Sequence, residues 1–358
     1  MISKGISLYP GMGYPLVASM DYLRLAWQAG FSRLFTSLHI PEADSGNLLA
    51  EFRQIAAAAV ALGFSITADI SPRTFRLLDA SLDNLDPIRA LGLDALRLDF
   101  GFSPAEIAYW TCASGFRIEL NASTIDLRTL DAILAADADV SRLQACHNYY
   151  PRPETGLSWK LFCERSLLFR ERGISVAAFI PSLKNPRGPL SEGLPTLERH
   201  RHLNPLTAAK QLAHSGLVDA IFFGDPLAGA EEIQAVGVIQ PDCIELRVTV
   251  TPNLSPTERE ILFAHHANRT DPGEWVVRSE PSRHLLAGRV PPRIPRRRNR
   301  GSVTVDNANY LRYMGELQIV RQDLEPDERV NVVAEVVAEE VFLIDMIKPG
   351  MKFRFVEG

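Results

Sequence analysis

The first two thirds of the sequence alternate between short apolar runs and longer amphipathic segments, and this alternation repeats eight times. The short runs predict strands and the segments between them predict helices, several of which end at a glycine such as Gly63 or Gly173. Eight such units in about 235 residues is the usual scale of a (β/α)8 barrel. The predicted strands are residues 5–9, 33–38, 65–70, 95–100, 117–121, 142–147, 175–180 and 219–224.

A doubly wound open sheet uses the same local pattern and is the alternative architecture. The glycine fingerprint of a dinucleotide-binding sheet is missing, because the start at Gly11 and Gly13 is not completed at Val17 and Ala18. This absence and the count of eight units favour the barrel. We therefore predict the α/β class, with a (β/α)8 barrel as the catalytic domain over residues 1–238.

The rhythm changes near Gly237. Residues 243–251 alternate with period two and predict an antiparallel strand, while Ser255, Pro256 and Glu258 predict a helix start with a capping box. Later strand-like segments, separated by proline and glycine, predict a smaller and mostly β domain over residues 242–358, closed into a small barrel. These segments are residues 275–278, 302–305, 317–321, 330–337, 341–344 and 352–356.

Composition narrows the class of protein. The 358 residues carry 38 basic and 43 acidic side chains, for a net charge of −5, which argues against a nucleic-acid-binding protein. The four cysteines are far apart and the histidines lack zinc-ligand spacing, so we expect no metal and no cofactor. No secretion signal begins the sequence, and no apolar stretch reaches the roughly 18 to 20 residues of a membrane span. We expect a soluble, cytoplasmic protein with no membrane partner.

Polar residues at the ends of the predicted strands are the first candidates for chemistry, because a barrel of this type places its site at the carboxyl ends of its strands. Asp69, Asp99 and Asp225 each end a strand, although each also has a turn or cap role as its alternative. Arg97 and Glu119 share faces with Asp99 and Asn121, one layer deeper, where an interior ion pair is the alternative. The remaining strand-end candidates are Tyr9, Glu119, Asn121, His147 and Asn148.

Two long loops follow the sixth and seventh predicted strands, at residues 146–156 and 181–204. Loops of this size in a compact domain are usually functional, and their prolines lower the entropy cost of ordering them. Tyr149 and Tyr150 suit stacking on a sugar face, and Arg152 and Arg187 suit the binding of an oxyanion. Contact with the helix layer, or with a second copy in a homodimer, is the alternative. These loops also contain the candidates Glu154 and Glu192.

The second domain contains five arginines within residues 293–300. Such a cluster predicts an anion site, and a solvated turn is the alternative. Gly301 allows close approach of backbone amides to an anion, and Arg300 adds a charge-assisted hydrogen bond. We expect Arg300, Asp306 and Asn307 to contact the ligand there.

Four segments together resemble a known family. They are residues 5–10 (GISLYP), 146–157 (CHNYYPRPETGL), 187–198 (RGPLSEGLPTLE) and 300–307 (RGSVTVDN). The sequence is similar in these motifs to the 6-phospho-N-acetylmuramidases, and the resemblance covers essentially the whole chain, with Ser191 as a departure. It implies a barrel followed by a cyclophilin-like domain. The implied activity is cytoplasmic hydrolysis of N-acetylmuramic acid 6-phosphate linked to N-acetylglucosamine, in the recovery of cell-wall sugars.

This phosphorylated amino-sugar disaccharide has a phosphate and a lactyl carboxylate, for which Arg152, Arg187 and Arg300 are candidates. Its hydrolysis needs a carboxylic acid and a carboxylate nucleophile or base, unless the 2-acetamido group acts as the nucleophile. The candidates are Asp69, Asp99, Glu154 and Asp225. The alternatives are another sugar-phosphate enzyme, a lyase or isomerase, and a non-catalytic protein that binds phosphosugars or peptides.

Overall fold

The chain forms two compact units in the computed structural model, residues 1–239 and residues 240–358. The structure describes residues 2–38, 45–70, 74–75, 78–81, 84–98, 101–285 and 288–358, and for residues 45–47 the backbone alone. Asp99, a predicted catalytic residue, lies outside the described residues. No helix in these ranges is both long and apolar enough to cross a membrane.

Eight parallel strands form a closed barrel in the first unit. Each strand pairs with the next, and the last pairs with the first through Ser3 and Ala220, which closes the cylinder. The predicted (β/α)8 barrel is therefore confirmed, and the open sheet is excluded. The strands are β1 Ser3–Ser7, β2 Arg33–Ser37, β3 Ser65–Ile70, β4 Ala95–Leu98, β5 Arg117–Asn121, β6 Leu143–Cys146, β7 Ser175–Ile180 and β8 Ala220–Phe223.

The helices around the barrel end where the glycines predict. Gly30, Gly63, Gly173 and Gly216 each follow a helix with a positive φ of 73–83°, a conformation that costs glycine little. The helices lie between consecutive strands, as the alternation predicts, and the first begins at Leu16. In the described part, the helices of this unit are α1 Leu16–Gln28, α2 Ser45–Ala61, α3 Asp86–Arg89, α4 Pro104–Ala113, α5 Leu127–Ala135, α6 Trp159–Arg170, α7 Pro205–Ser215 and α8 Ala230–Gly237.

The second unit is a seven-stranded sheet with its own apolar core. The strand order is β10-β15-β9-β14-β12-β13-β11, and all pairs are antiparallel except β9 with β15. The helix α9 Pro256–Leu262 begins with the predicted capping box at Ser255 and Glu258. The strands are β9 Cys243–Val250, β10 His266–Ala267, β11 Val276–Arg278, β12 Ser302–Asp306, β13 Leu317–Val320, β14 Val330–Val336 and β15 Lys352–Glu357.

The two edge strands of this sheet meet. Asn268, after β10, forms an antiparallel bridge with Ser279, after β11. Arg269 N donates to Arg278 O at 3.1 Å, and Glu280 N donates to Ala267 O at 2.9 Å. The predicted small barrel is thus realised as a sheet whose edges join through one bridge rather than through a full ladder.

One predicted strand of the second unit is wrong. Residues 341–344 lie in the 3₁₀ helix Ala338–Met346. The fully buried Glu340 accepts hydrogen bonds from Arg247 N at 2.8 Å and Arg247 Nε at 3.0 Å, which ties this segment across β9 instead of alongside a strand. The apolar side chains Leu343 and Ile344 still reach the core, as their burial requires.

The barrel interior leaves no room for a side chain at Gly5. A Cβ atom there would lie 2.2 Å from Phe222 Cε1 and 3.0 Å from Arg33 O. Gly5→Ala should therefore destabilise the protein by about 1–3 kcal/mol through overpacking. Urea denaturation of both single variants and of the double variant with Phe222→Leu tests this. The double variant should lose less unfolding free energy than the two single variants lose when their losses are added. A loss equal to that sum would contradict the packing argument.

Candidate active site

The inner face of the barrel divides into an aromatic half and a polar half. Phe35, Phe179 and Phe222 lie in a buried cluster separate from the helix-facing core, to which their strand neighbours Leu34 and Ala178 belong, so alternation places them inside the barrel. The ring centroids of Phe35 and Phe179 are 5.2 Å apart, and those of Phe179 and Phe222 are 5.7 Å apart. These edge-on and tilted ring contacts fill the part of the interior that strands β2, β7 and β8 enclose.

The polar half is built on Arg97 and Glu119, which are 3% and 1% exposed. Arg97 Nη1 lies 3.7 Å from Glu119 Oε1, and Gln144 Nε2 donates to Glu119 Oε2 at 2.7 Å. The interior ion pair expected as the alternative for these two residues is thus present. The hydrogen-bond partners of the pair offset the cost of burying two charges. Glu119 lies below the mouth of the barrel, which is the opening at the carboxyl ends of the strands.

Asn121 and Asn148 form the layer above this pair. Asn148 Oδ1 accepts hydrogen bonds from Arg97 Nη2 and, at 3.0 Å, from Asn121 Nδ2. Asn148 N donates to Ser123 Oγ at 2.9 Å, which fixes the start of the loop after β6. The structure therefore brings together two of the predicted binding residues and joins them to the interior charge.

Asp69 ends β3 at the same end of the barrel. It is half-buried, and Ser37 Oγ donates to its Oδ2 at 3.1 Å. Its carboxyl group therefore lies at the carboxyl ends of β2 and β3, where the sequence places it. The hydrogen bond from Ser37 does not by itself indicate a catalytic role for Asp69.

Arg187 lies over two tyrosine rings at the aromatic side of the mouth. Its Cζ atom is 4.6 Å from the Tyr9 ring centroid and 5.1 Å from that of Tyr149, and its Nη1 donates to Tyr149 Oη at 3.0 Å. Tyr9 is itself fixed by a 2.6 Å hydrogen bond to Gly224 O. The buried Nε of Arg187 has no hydrogen-bond partner among the described residues. A held guanidinium with an unused donor is suited to an anion.

Asp225 organises the backbone that carries Arg187. It is fully buried, and its two oxygens accept hydrogen bonds from the amides of Ser182 at 2.8 Å, Arg187 at 2.8 Å and Leu194 at 3.0 Å. Burial raises the pKa of Asp225, and the three amides oppose that shift. These contacts match the backbone role that was the alternative to catalysis for this residue.

An ion pair between the buried Arg201 and the half-buried Glu198 joins the two long loops. Arg201 donates to Glu198 through Nε at 2.7 Å and Nη2 at 2.6 Å, and it also reaches carbonyls of both loops. Glu198 in turn accepts hydrogen bonds from the amides of Glu154 at 2.8 Å and Gly156 at 2.7 Å. The hydrogen bonds from Arg201 lower the pKa of Glu198 to about 2. The carbonyl acceptors of Arg201 are those of Tyr150, Arg152, Glu192 and Gly193.

Glu198 and Arg201 lie in the second of the two predicted loops, but their ion pair is not among the predicted contacts. Their spacing of three residues is the one local signal that indicates it. The absence of a side chain at Gly156 is the other requirement, because a Cβ atom there would lie 2.6 Å from Glu198 Oε2.

The side chains of Arg152, Glu154 and Glu192 are exposed on these loops. Glu154 adopts a left-handed φ of 70° in the turn that Glu198 holds. The structure places the three residues in the two loops that Arg201 joins, but it shows no contact between their side chains and Arg187.

His147 lies on the outer side of its strand, away from the mouth. Its Nδ1 is 3.2 Å from Ser123 Oγ and its Nε2 is 3.0 Å from Ser166 Oγ, in α6. Burial, with Arg97 and Arg165 as secondary causes, lowers its pKa to about 3, so the ring is neutral. Tyr150 likewise packs against the helix-facing core. These contacts favour the helix-layer alternative for both residues.

The candidates of the second unit make contacts within that unit. Arg300 donates through Nη1 to Arg321 O at 2.6 Å and through Nη2 to Asp345 Oδ2 at 2.8 Å. Asn307 is buried and donates to Glu328 O and Asn331 Oδ1, both at 2.9 Å. Their side-chain donors therefore already support turns, while a role in ligand binding stays a prediction.

The structure thus shows a (β/α)8 barrel with a candidate anion-binding arginine, Arg187, held at the carboxyl ends of the strands. Comparison with protein families identifies the family to which this barrel belongs. The family description "6-phospho-N-acetylmuramidase, N-terminal" matches residues 4–238, and "6-phospho-N-acetylmuramidase, C-terminal" matches residues 244–356. The chain belongs to the 6-phospho-N-acetylmuramidase family, as the sequence motifs predict.

Two solved structures resemble the whole chain. An uncharacterised protein from B. cereus is 34% identical with a TM-score of 0.89, and the match covers 99% of both chains. A conserved protein of unknown function from Enterococcus faecalis is 36% identical with a TM-score of 0.78, and the match covers 99% of this chain and 96% of that one. No curated protein matches the sequence.

The ion pair of the two loops gives a prediction for stability. Glu198→Ala leaves Arg201 buried without its carboxylate and should cost about 2–3 kcal/mol at pH 7. A carboxyl group with a lowered pKa stabilises the fold above its unfolded pKa of about 4.3, and that stabilisation fades as the pH falls toward 2. The difference in unfolding free energy from the parent should therefore be smaller at pH 3 than at pH 7. Glu164→Ala, on the exposed side of α6, is the control, and a difference independent of pH would contradict the assignment.

Asp306 should make the stability of the fold depend on pH in the opposite direction. It is 3% exposed, and burial, with Glu316 and Asp327 as further causes, raises its pKa from 3.8 to about 8. The folded protein then keeps a proton that the unfolded chain loses, so stability falls as the pH rises from about 4 to 8. Asp306→Asn should remove this loss, and its melting temperature relative to the parent should increase from pH 5 to pH 8.

The control for this experiment is Glu325→Gln, which changes an exposed carboxylate in the same unit. Its melting temperature should follow that of the parent across the pH range. A constant difference between Asp306→Asn and the parent at pH 5, 7 and 9 would show that the buried carboxyl group does not titrate as described.

Proposed function

We propose that this protein is a glycosidase that hydrolyses the bond between N-acetylmuramic acid 6-phosphate and N-acetylglucosamine. Family membership supports the proposal over the whole chain. The observation that carries it is Arg187, whose guanidinium lies over two tyrosines at the mouth and retains a buried, unpartnered Nε among the described residues. A barrel mouth with a fixed arginine suits a substrate with anionic groups.

The substrate carries two such groups, the 6-phosphate and the lactyl carboxylate, and so requires two subsites. Arg187 supplies the first. Arg152 is the candidate for the second, because its exposed side chain extends from the loop that Arg201 ties to the loop of Arg187. Arg300 is a weaker candidate, since Arg321 and Asp345 already occupy its terminal nitrogens.

The chemical step requires proton transfer by carboxyl groups. We assign the acid and its partner to Asp99 and Glu154, with Asp69 as the remaining candidate at a strand end. The three amide contacts of Asp225 favour a positioning role for that residue. A carboxylate nucleophile, an activated water and the substrate's own acetamido group are all compatible with this assignment.

The two sugars released would be N-acetylmuramic acid 6-phosphate and N-acetylglucosamine, in a cytoplasmic step that recovers cell-wall material. We interpret the second unit as cyclophilin-like and propose that it forms a homodimer. A sugar-phosphate lyase or isomerase is the competing enzyme class. In the described part of the chain, no group of three or more histidine, cysteine or acidic residues is arranged to hold a metal for such a reaction.

The direct test is incubation with the 6-phosphorylated disaccharide and with its unphosphorylated analogue, scoring both products. The phosphorylated substrate should release N-acetylglucosamine much faster. If Arg187 binds the phosphate, Arg187→Met should lose roughly 30-fold or more in kcat/KM on that substrate and far less on the analogue. Arg24→Met, on the exposed face of α1, is the matched control. Tight binding without release of N-acetylglucosamine would support the non-catalytic alternative instead.

The same assay sorts the carboxyl groups. Asp99→Asn and Glu154→Gln should each lower kcat by about 10² or more, as expected when a proton-transfer group is removed. Asp225→Asn should act through the loop of Arg187 and raise KM more than it lowers kcat. Near-normal turnover in both the Asp99 and Glu154 variants would remove that pair from the mechanism.

A further inference from the structure

A cavity of about 550 Å³ opens at the amino-terminal end of strands β4, β5 and β6, opposite the candidate active site. Its lining comes from the three connections that lead into these strands, among them Arg89, Arg117 and Arg142. Its volume lies within the range of pockets that bind small molecules. The proposed glycosidase reaction makes no use of it.

The three arginines are fixed in place but retain free donors. Arg89 Nη2 donates to Ser114 O at 3.2 Å, and Arg142 Nη1 donates to Gly115 O at 2.9 Å, at the end of α4. Arg117 Nη2 donates to Ser65 Oγ at 2.8 Å. Each guanidinium has five N–H groups, so the single hydrogen bonds that Arg117 and Arg142 donate here use only a small part of what they offer.

The positive charge of this cavity is poorly balanced within the described residues. Asp94 is the only carboxylate in the lining, and it accepts a hydrogen bond from Ile66 N at 2.8 Å. Neither Arg117 nor Arg142 has a carboxylate within 4 Å in the described part of the chain, and the partner of Arg89 is the 84% exposed Asp86. Three like charges around one cavity repel each other, and an anion that enters the cavity offsets this repulsion.

A fourth cation lies near Arg117. Arg33 begins β2, and its buried Nε and Nη2 atoms have no hydrogen-bond partner in the described residues. Burial lowers the pKa of Arg33, attraction to Glu119 and Asp94 opposes that shift, and repulsion from Arg117 adds to it. Arg33 is therefore a further cation near the cavity, although Glu119 and Asp94 partly balance its charge.

We propose that this cavity binds a small organic molecule through its phosphate group. The oxygens of one phosphate can accept hydrogen bonds from guanidinium groups on three separate connections. A carboxylate has only two oxygens and suits three donors less well. The volume left beside the phosphate accommodates the organic part of the ligand. The site is distinct from the mouth, so its ligand would regulate or stabilise the barrel from its opposite end.

The test is isothermal titration with inorganic phosphate at constant ionic strength. It is carried out on Arg187→Met protein, so that phosphate binding at the mouth does not contribute. One phosphate should bind, and adding Arg142→Met or Arg89→Met should weaken its affinity roughly tenfold or more, as expected for a lost charged hydrogen bond. Adding Arg24→Met instead should leave the affinity unchanged. Two variants on different connections keep the test valid if one of them folds poorly.

Glucose 6-phosphate and glucose form the second part of the experiment. Glucose 6-phosphate should bind at least as tightly as phosphate, and glucose should not bind. Equal affinity for phosphate in the cavity variants and their Arg187→Met parent would overturn the proposal, as would equal binding of glucose. Because the readout is binding at the amino-terminal end, a failure of the proposed hydrolysis would leave this result unaffected.

Discussion

The ion pair between Arg201 and Glu198 holds together the two loops after β6 and β7, which carry Arg187 and Asn148 among other candidate residues. Arg201 is almost fully buried and reaches four backbone carbonyls, while Glu198 accepts two backbone amides besides its partner. These hydrogen bonds offset the cost of removing a guanidinium from water. The result is that a loop from β6 and a loop from β7 behave as one wall. The wall acts together with Asp225, which holds the backbone of Arg187, and with Ser123, which holds that of Asn148.

The division of the barrel interior gives this wall a foundation of two kinds. Aromatic rings beneath Arg187 supply a π surface on which a guanidinium packs without an ion-paired carboxylate, which leaves its Nε without a partner among the described residues. The ion pair of Arg97 and Glu119 instead supplies the charge under Asn121 and Asn148. A molecule that enters the mouth therefore meets a cation on the aromatic side and neutral amide groups on the polar side. That asymmetry can orient a substrate whose charges lie at one end.

Periodicity predicted the barrel because each helix and strand is stabilised mainly by its own buried face, as at residues 65–70 and 205–215. The errors come from long-range contacts. Glu340 turns an apolar segment into a 3₁₀ helix by binding Arg247, which no local pattern reveals. The loop ion pair is equally non-local in its effect, although its residues are close in sequence. The position of His147 could have been predicted. It is two and four residues from Ala145 and Leu143, which face the helices, and alternate residues of a strand share a face.

The joined edges of the second unit have a consequence for assembly. A sheet with a free edge can recruit another chain by adding a strand to its unpaired backbone groups. Here the terminal strands β10 and β11 are two and three residues long, and the bridge between Asn268 and Ser279 brings them together. Main-chain pairing with a second molecule therefore has little template at this edge. A partner of this unit would have to be recognised by side chains, which makes recognition specific to their chemistry and guards the sheet against indiscriminate fibril-like growth.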